Sequence, residues 1–152
     1  MPAPLADGYE LLRAALRTRL LTVSGIPAQA LWSLENREFT KPNVDSATPV
    51  VWLRERLAPQ ANQTASLGDR DRLVRLNGAY FVDLFFPKAL GAKPADDLVG
   101  AMQQTFAPGS HIVYQTLVVR LRNIWSSTGI ATTDGWYMRP VTITWQTDNV
   151  TP

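Results

Sequence analysis

Polar and apolar residues alternate along 72–86, and the period then changes to that of a helix. Val74, Leu76, Tyr80, Val82, Leu84 and Phe86 share one side of an extended chain, and Leu73, Arg75, Asn77, Phe81, Asp83 and Phe85 share the other. This predicts one long strand. Gly78 in its middle predicts a bulge or bend, and Pro87 predicts its end. Pro94 suits the first position of a following helix, and Asp96 and Asp97 fall in the first turn, where carboxylates favour the positive end of the helix dipole. Leu98, Met102 and Phe106 form its apolar stripe, and Pro108-Gly109 stops it.

The same pattern predicts an earlier helix over 8–23. Asp7 is placed to cap it, with Glu10 completing a capping box, and Tyr9, Leu12, Leu16, Leu20 and Val23 recur at helical spacing. Gly25 and Pro27 terminate it. A short strand is expected at 31–34, a polar loop at 35–48 and a strand at 50–57. In that strand Val51, Leu53, Glu55 and Leu57 point one way, and Trp52, Arg54 and Arg56 the other. A second polar loop covers 58–71. The last third alternates over 115–123, with Leu117, Val119 and Leu121 opposite Val118, Arg120 and Arg122, and again over 136–147, with Tyr137, Val141, Ile143 and Trp145 together. The segment 125–135 reads as their connection. No internal repeat or second core is visible, so 1–152 is expected to be a single α+β domain, two helices packed on one face of a mostly antiparallel sheet.

Length and composition fit that domain. The 152 residues are enough for one sizeable core, and 45 % apolar residues is an ordinary globular content. No apolar run approaches the roughly 18 residues of a membrane span, so no membrane partner is expected. The N-terminal segment lacks the basic-then-apolar order of a signal peptide. The absence of cysteine excludes disulfides, thiolate nucleophiles and Cys-ligated zinc, and a cytosolic protein fits it. The net charge of +2 carries no basic block of the kind that marks a nucleic-acid arm. Only three of the 15 basic residues are lysines, and arginine, more weakly hydrated, suits interface contacts better.

Candidate chemistry is sparse. His111 is the only histidine, in an expected helix-to-strand turn, and no Gly-x-Ser-x-Gly elbow presents a serine to it. Asp69 with Asp71 alternates with Arg70 and Arg72, and Asp96 with Asp97 is explained by the helix start. No phosphate-binding glycine loop occurs, and Gly91 to Pro94 reads as a plain turn before a helix. Catalytic, cofactor-binding and metal-binding residues are therefore all expected to be absent. Trp52 between arginines is the more informative feature. Aromatic plus arginine is the composition of interface hot spots and of single-strand nucleic-acid platforms. A plain Arg–Trp stack on a solvated or covered sheet face is the alternative.

The ordered features resemble the tail-terminator, or tail-completion, proteins of long non-contractile-tailed bacteriophages. They are the N-terminal helix, Asn36 and Phe39 before Pro42, the strand from Pro49 to Arg54, Leu67-Gly68, then Arg75, Gly78, Val82 and Pro87 at their spacing, Gly91, the helix ending in Phe106, and the strand from Val141 to Trp145. Together they span about residues 9–147. Ala89 stands where a glycine is expected after Pro87.

The resemblance implies two helices on a sheet and no catalytic residues or cofactors. It also implies a ring, usually of six copies, which caps the tail tube, stops its growth and offers a surface to the head–tail connector protein. Its partners are then its own copies, the tail tube protein, the connector, and DNA passing through the lumen without sequence recognition. Its location is the virion tail, reached from the host cytoplasm during assembly. Trp52, Arg54, Arg56, Arg75, Arg120, Arg122 and Phe39 are the residues expected at an interface or the lumen, with Asp83 and Glu55 as nearby counter-charges. The two polar loops are expected to order on docking, with Phe39 as the anchor of the first. Three other readings compete: a nucleic-acid-binding module using Trp52 with Arg54, Arg56, Arg120 and Arg122; a head-side completion protein; and a small hydrolase built on His111.

Overall fold

The computed structural model describes residues 5–61, 63–64 and 72–151. Among them are two α-helices, α1 (Leu5–Leu20) and α2 (Lys93–Thr105). Eight strands form one sheet: β1 (Trp32–Ser33), β2 (Trp52–Pro59), β3 (Gln63–Thr64), β4 (Arg72–Pro87), β5 (His111–Tyr114), β6 (Leu117–Ser126), β7 (Ile130–Ala131) and β8 (Trp136–Thr151). The spatial order is β1-β2-β4-β8-β6-β5, with β3 beside β4 and β7 beside β8. Only β1–β2 is parallel; every other pairing is antiparallel. The α+β class is therefore as the alternation indicated.

The spine of the sheet is β4 against β8, paired without interruption from Arg72↔Thr151 to Pro87↔Trp136. One alternate set of side chains enters a single apolar cluster: Leu53 and Leu57 of β2, Leu76 to Phe86 of β4, Val119, Leu121 and Ile124 of β6, and Val141, Ile143 and Trp145 of β8. Leu12, Leu16 and Leu20 of α1 and Leu98, Val99 and Met102 of α2, with Phe106 beyond it, join the same cluster. Each large apolar side chain fully buried there contributes roughly 1.5–3 kcal/mol. That is why two modest helices and strands of ordinary propensity hold together. We call this the inner face and the opposite set of strand positions the outer face.

Several boundaries differ from expectation. The first helix begins at Leu5, so Asp7 lies inside its first turn rather than ahead of it, and it ends at Leu20. Gly25 does adopt a left-handed φ of 83°, but in the turn after Val23 and not at the helix end. Gly78 marks no bulge, since pairing with β8 runs straight through it and the β2 pairing extends to it in register. Glycine is needed there because a Cβ would sit 2.4 Å from the Ala58 carbonyl oxygen and 2.9 Å from the Trp145 ring. The bulge lies instead at Arg122, where the β6–β8 register shifts between Leu121 and Asn123. It restores the phase that lets Ile124 reach the core. The second loop, expected over 58–71, gives its first two residues to β2 and contains β3, and residues 62 and 65–71, including Leu67, lie outside the described residues. His111 opens a strand, β5, which a two-residue turn joins to β6. Trp125 belongs to β6.

Candidate interaction face

Arg54 and Glu55 are consecutive in β2 and point to opposite faces, and each forms an ion pair on its own side. Inside, Glu55 is 2 % exposed. It accepts hydrogen bonds from Nε of Arg17 at 2.7 Å, from a second Arg17 nitrogen, and from the Tyr80 hydroxyl. The hydrogen bond to Glu55 raises the Arg17 pKa above its ordinary value. Burial first, and then the Glu55 charge, push the Tyr80 hydroxyl well above its own. Along the helix, Arg13 pairs with Glu35. The other Glu35 oxygen accepts the Leu57 N–H at 3.2 Å. β1 pairs with β2 only at Leu53 and Arg54, so Glu35 closes an otherwise open stretch of sheet edge. At the far edge Arg19 donates to the His111 carbonyl at 2.8 Å.

The outer face has two parts. Near β1 it is covered. Trp52 is 5 % exposed, stacked on Phe85 at 3.9 Å and 4°, with Phe39 at 5.2 Å and Trp136 edge-on at 6.0 Å. Leu31, Val44 and Met138 complete this second small cluster. Trp52 therefore does not present an open ring, and Phe39 is turned onto its own subunit. The loop that carries Phe39 is also tied by Lys41 to Asp134 at 2.8 Å. That hydrogen bond, helped by Thr132, lowers the Asp134 carboxyl to about 2.

The rest of the outer face is polar. Arg54 grips Asp83 through two nitrogens at 2.8 and 3.1 Å, and Arg75 holds Asp148 at 2.9 and 3.3 Å. Arg56 lies over the Phe81 ring at 4.7 Å, and Arg122 donates to Gln146 at 2.7 Å. Arg120 is exposed, in register with His111 on one side and Gln146 on the other. Five of the seven residues expected at an interface thus share one open surface, whereas Trp52 and Phe39 are packed away. Of the expected counter-charges, Asp83 serves this face and Glu55 does not.

One residue of this surface was missed in the sequence. Trp125, assigned to a connection, is 44 % exposed. It pairs in register with Thr142, completing a row Arg56–Phe81–Thr142–Trp125 across β2, β4, β8 and β6. The bulge at Arg122 shifts the alternation by one, and a strict period of two cannot show that. His111 is exposed, and among the described residues no group of three His, Asp or Glu side chains is placed to hold a metal. No helix there is long and apolar enough to cross a membrane.

These features define a class first: a small α+β domain whose distinguishing surface is a polar, arginine-bearing sheet face. Residues 11–145 match the family described as phage tail terminator protein, and the chain belongs to that family. A solved structure, 22 % identical, superposes with a TM-score of 0.64 over 91 % of this chain and 94 % of the other, and so shares the fold. The comparison with curated proteins finds no match.

Proposed function

We propose that the protein is a non-enzymatic component of the phage tail that closes the tail tube. Copies associate head to tail into a ring, six in number, which ends tube growth and offers a joining surface to the head–tail connector. The observation that carries this reading is the family match, which runs from α1 into β8 and so includes both helices and most of the sheet. A closed ring needs two different patches on each subunit. The two helices are read as covering a single sheet face, supported by the apolar cluster that both share with one set of strand positions. The partners are other copies of the chain, the tail tube protein and the connector, with DNA passing through the ring. Assembly takes place in the host cytoplasm. The tail-side role is preferred to a head-side one because the matching family is that of tail terminators.

The test is electron microscopy of lysates from phage that lack the chain. The expected result is tails of uncontrolled length that are not joined to heads. Tails of normal length carrying heads would contradict the proposal.

A further inference from the structure

We infer that the open part of the outer sheet face is a binding surface for the phosphodiester backbone of DNA, contacted by Arg56, Arg120 and Arg122. The first argument is the charge left after internal pairing. Five arginines (Arg54, Arg56, Arg75, Arg120, Arg122) and two aspartates (Asp83, Asp148) share this face, giving 5 − 2 = +3. The whole chain carries only +2, so the positive charge is concentrated here. Both aspartates are already held by Arg54 and Arg75. Among the described residues, no carboxylate is paired with the other three guanidinium groups.

The second argument is spacing. Arg56 is on β2 and Arg120 and Arg122 are on β6, three strand separations or about 14 Å across the sheet, and Arg120, opposite Gln146, is also displaced about 14 Å along the strands from the row of Arg56 and Thr142. Cations at both borders of a face suit an extended polyanion better than a small anion. Between them the outer positions of β8, Thr142, Thr144 and Gln146, are neutral, with Thr144 half-buried and Thr142 and Gln146 nearly enclosed. Beside them Gln60, Arg75, Asn77 and Arg122 help to line an open bowl of about 430 Å³. The third argument is the chemistry of the contacts. Arg56 rests over the Phe81 ring, a contact that limits the entropy it loses on meeting a phosphate. The contacts are to phosphate, which carries no sequence information, so the binding is independent of sequence.

This deepens the proposed tail role and rests on it for the identity of the DNA, which is the molecule that passes through the ring. The affinity for DNA is measurable without that role. Fluorescence anisotropy with a labelled random-sequence duplex reads it across a salt series. Three phosphate contacts predict a slope of about −2.7 in log affinity against log salt, so raising salt from about 50 to 200 mM weakens binding about 40-fold. Arg120→Ala, at an exposed position, should reduce the slope by about 0.9. The triple variant Arg56→Ala/Arg120→Ala/Arg122→Ala should abolish binding, with unchanged near-ultraviolet circular dichroism as the check of fold.

If the triple variant unfolds, the slope change of the Arg120 variant decides alone. Wild-type protein that forms rings by light scattering but does not bind duplex at 50 mM salt overturns the inference and leaves the tail role standing. DNA binding without rings does the reverse. Loss of tail-tube binding in the triple variant, with no DNA binding by the wild type, assigns the face to a protein partner and also overturns the inference.

Discussion

Arg54 and Glu55 are adjacent in one strand, and each belongs to an arginine–carboxylate pair, but the two pairs live in different media. Glu55 is enclosed beside the buried Tyr80, with the Arg17 side chain still 25 % exposed, and every oxygen it has is used. Arg54 and Asp83 meet at the surface, with the arginine side chain 53 % exposed. Removing one partner of an enclosed pair leaves a charge or donor without water or protein to satisfy it. Removing one partner of an exposed pair lets water take its place, and salt has already screened most of the attraction. The inner pair therefore fixes where α1 sits on β2, whereas the outer pair sets how much free charge the sheet face offers. One strand builds the scaffold with one side and the working surface with the other.

The largest expected effect comes from breaking the inner side. Glu55→Ala should destabilise the fold by about 2–3 kcal/mol, because the buried Tyr80 hydroxyl is left without its acceptor and the part-buried Arg17 loses its partner. Denaturant unfolding followed by tryptophan fluorescence measures this. A cost below about 1 kcal/mol would show that water reaches the site and that the two pairs are equivalent.

A second effect is pH-dependent. Burial raises the Tyr80 pKa above the ordinary 10.0, so the folded protein retains a proton that the unfolded chain releases. The contribution is fully present below pH 10 and is lost as pH rises through the folded value. Stability of the wild type should therefore decline more steeply above pH 10 than that of Tyr80→Phe. Parallel declines in the two proteins would contradict the enclosure of this group.

The smallest effect sharpens the contrast from the outside. Asp83→Ala should change stability by no more than about 1 kcal/mol. It frees Arg54, so the same substitution should strengthen DNA binding and steepen its salt dependence by about 0.9. Thermal unfolding and the anisotropy series measure the two readouts. A large loss of stability with unchanged DNA affinity would reverse the assignment of the two pairs.

Much of this was legible in the sequence, for a physical reason. The inner faces of β2, β4 and β8 follow a strict period of two, because pairing without a register shift places every second residue in the core. Leu98, Met102 and Phe106 repeat every four residues because α2 has one buried side. What escaped depended on partners distant in sequence. Trp52 looked like an open aromatic between arginines, but Phe39, Phe85 and Trp136 converge on it from three separate segments. Gly78 looked like a bulge because a lone glycine in a strand has several causes, and only the approach of Ala58 and Trp145 identifies this one. Trp125 was lost to a register shift, and its place beside Thr142 emerges only once the Arg122 bulge is known.

The two sides of the sheet are most directly compared by hydroxyl-radical footprinting of Trp125 and Trp145, which lie on the same sheet but opposite faces. It should be done on the free subunit, on assembled empty tails and on DNA-filled particles. Trp145, fully enclosed, should be unreactive in all three. Trp125 should be reactive in the free subunit and become protected in the filled particle. Equal reactivity of Trp125 in the subunit and the filled particle would contradict the account, because the outer face would then meet nothing.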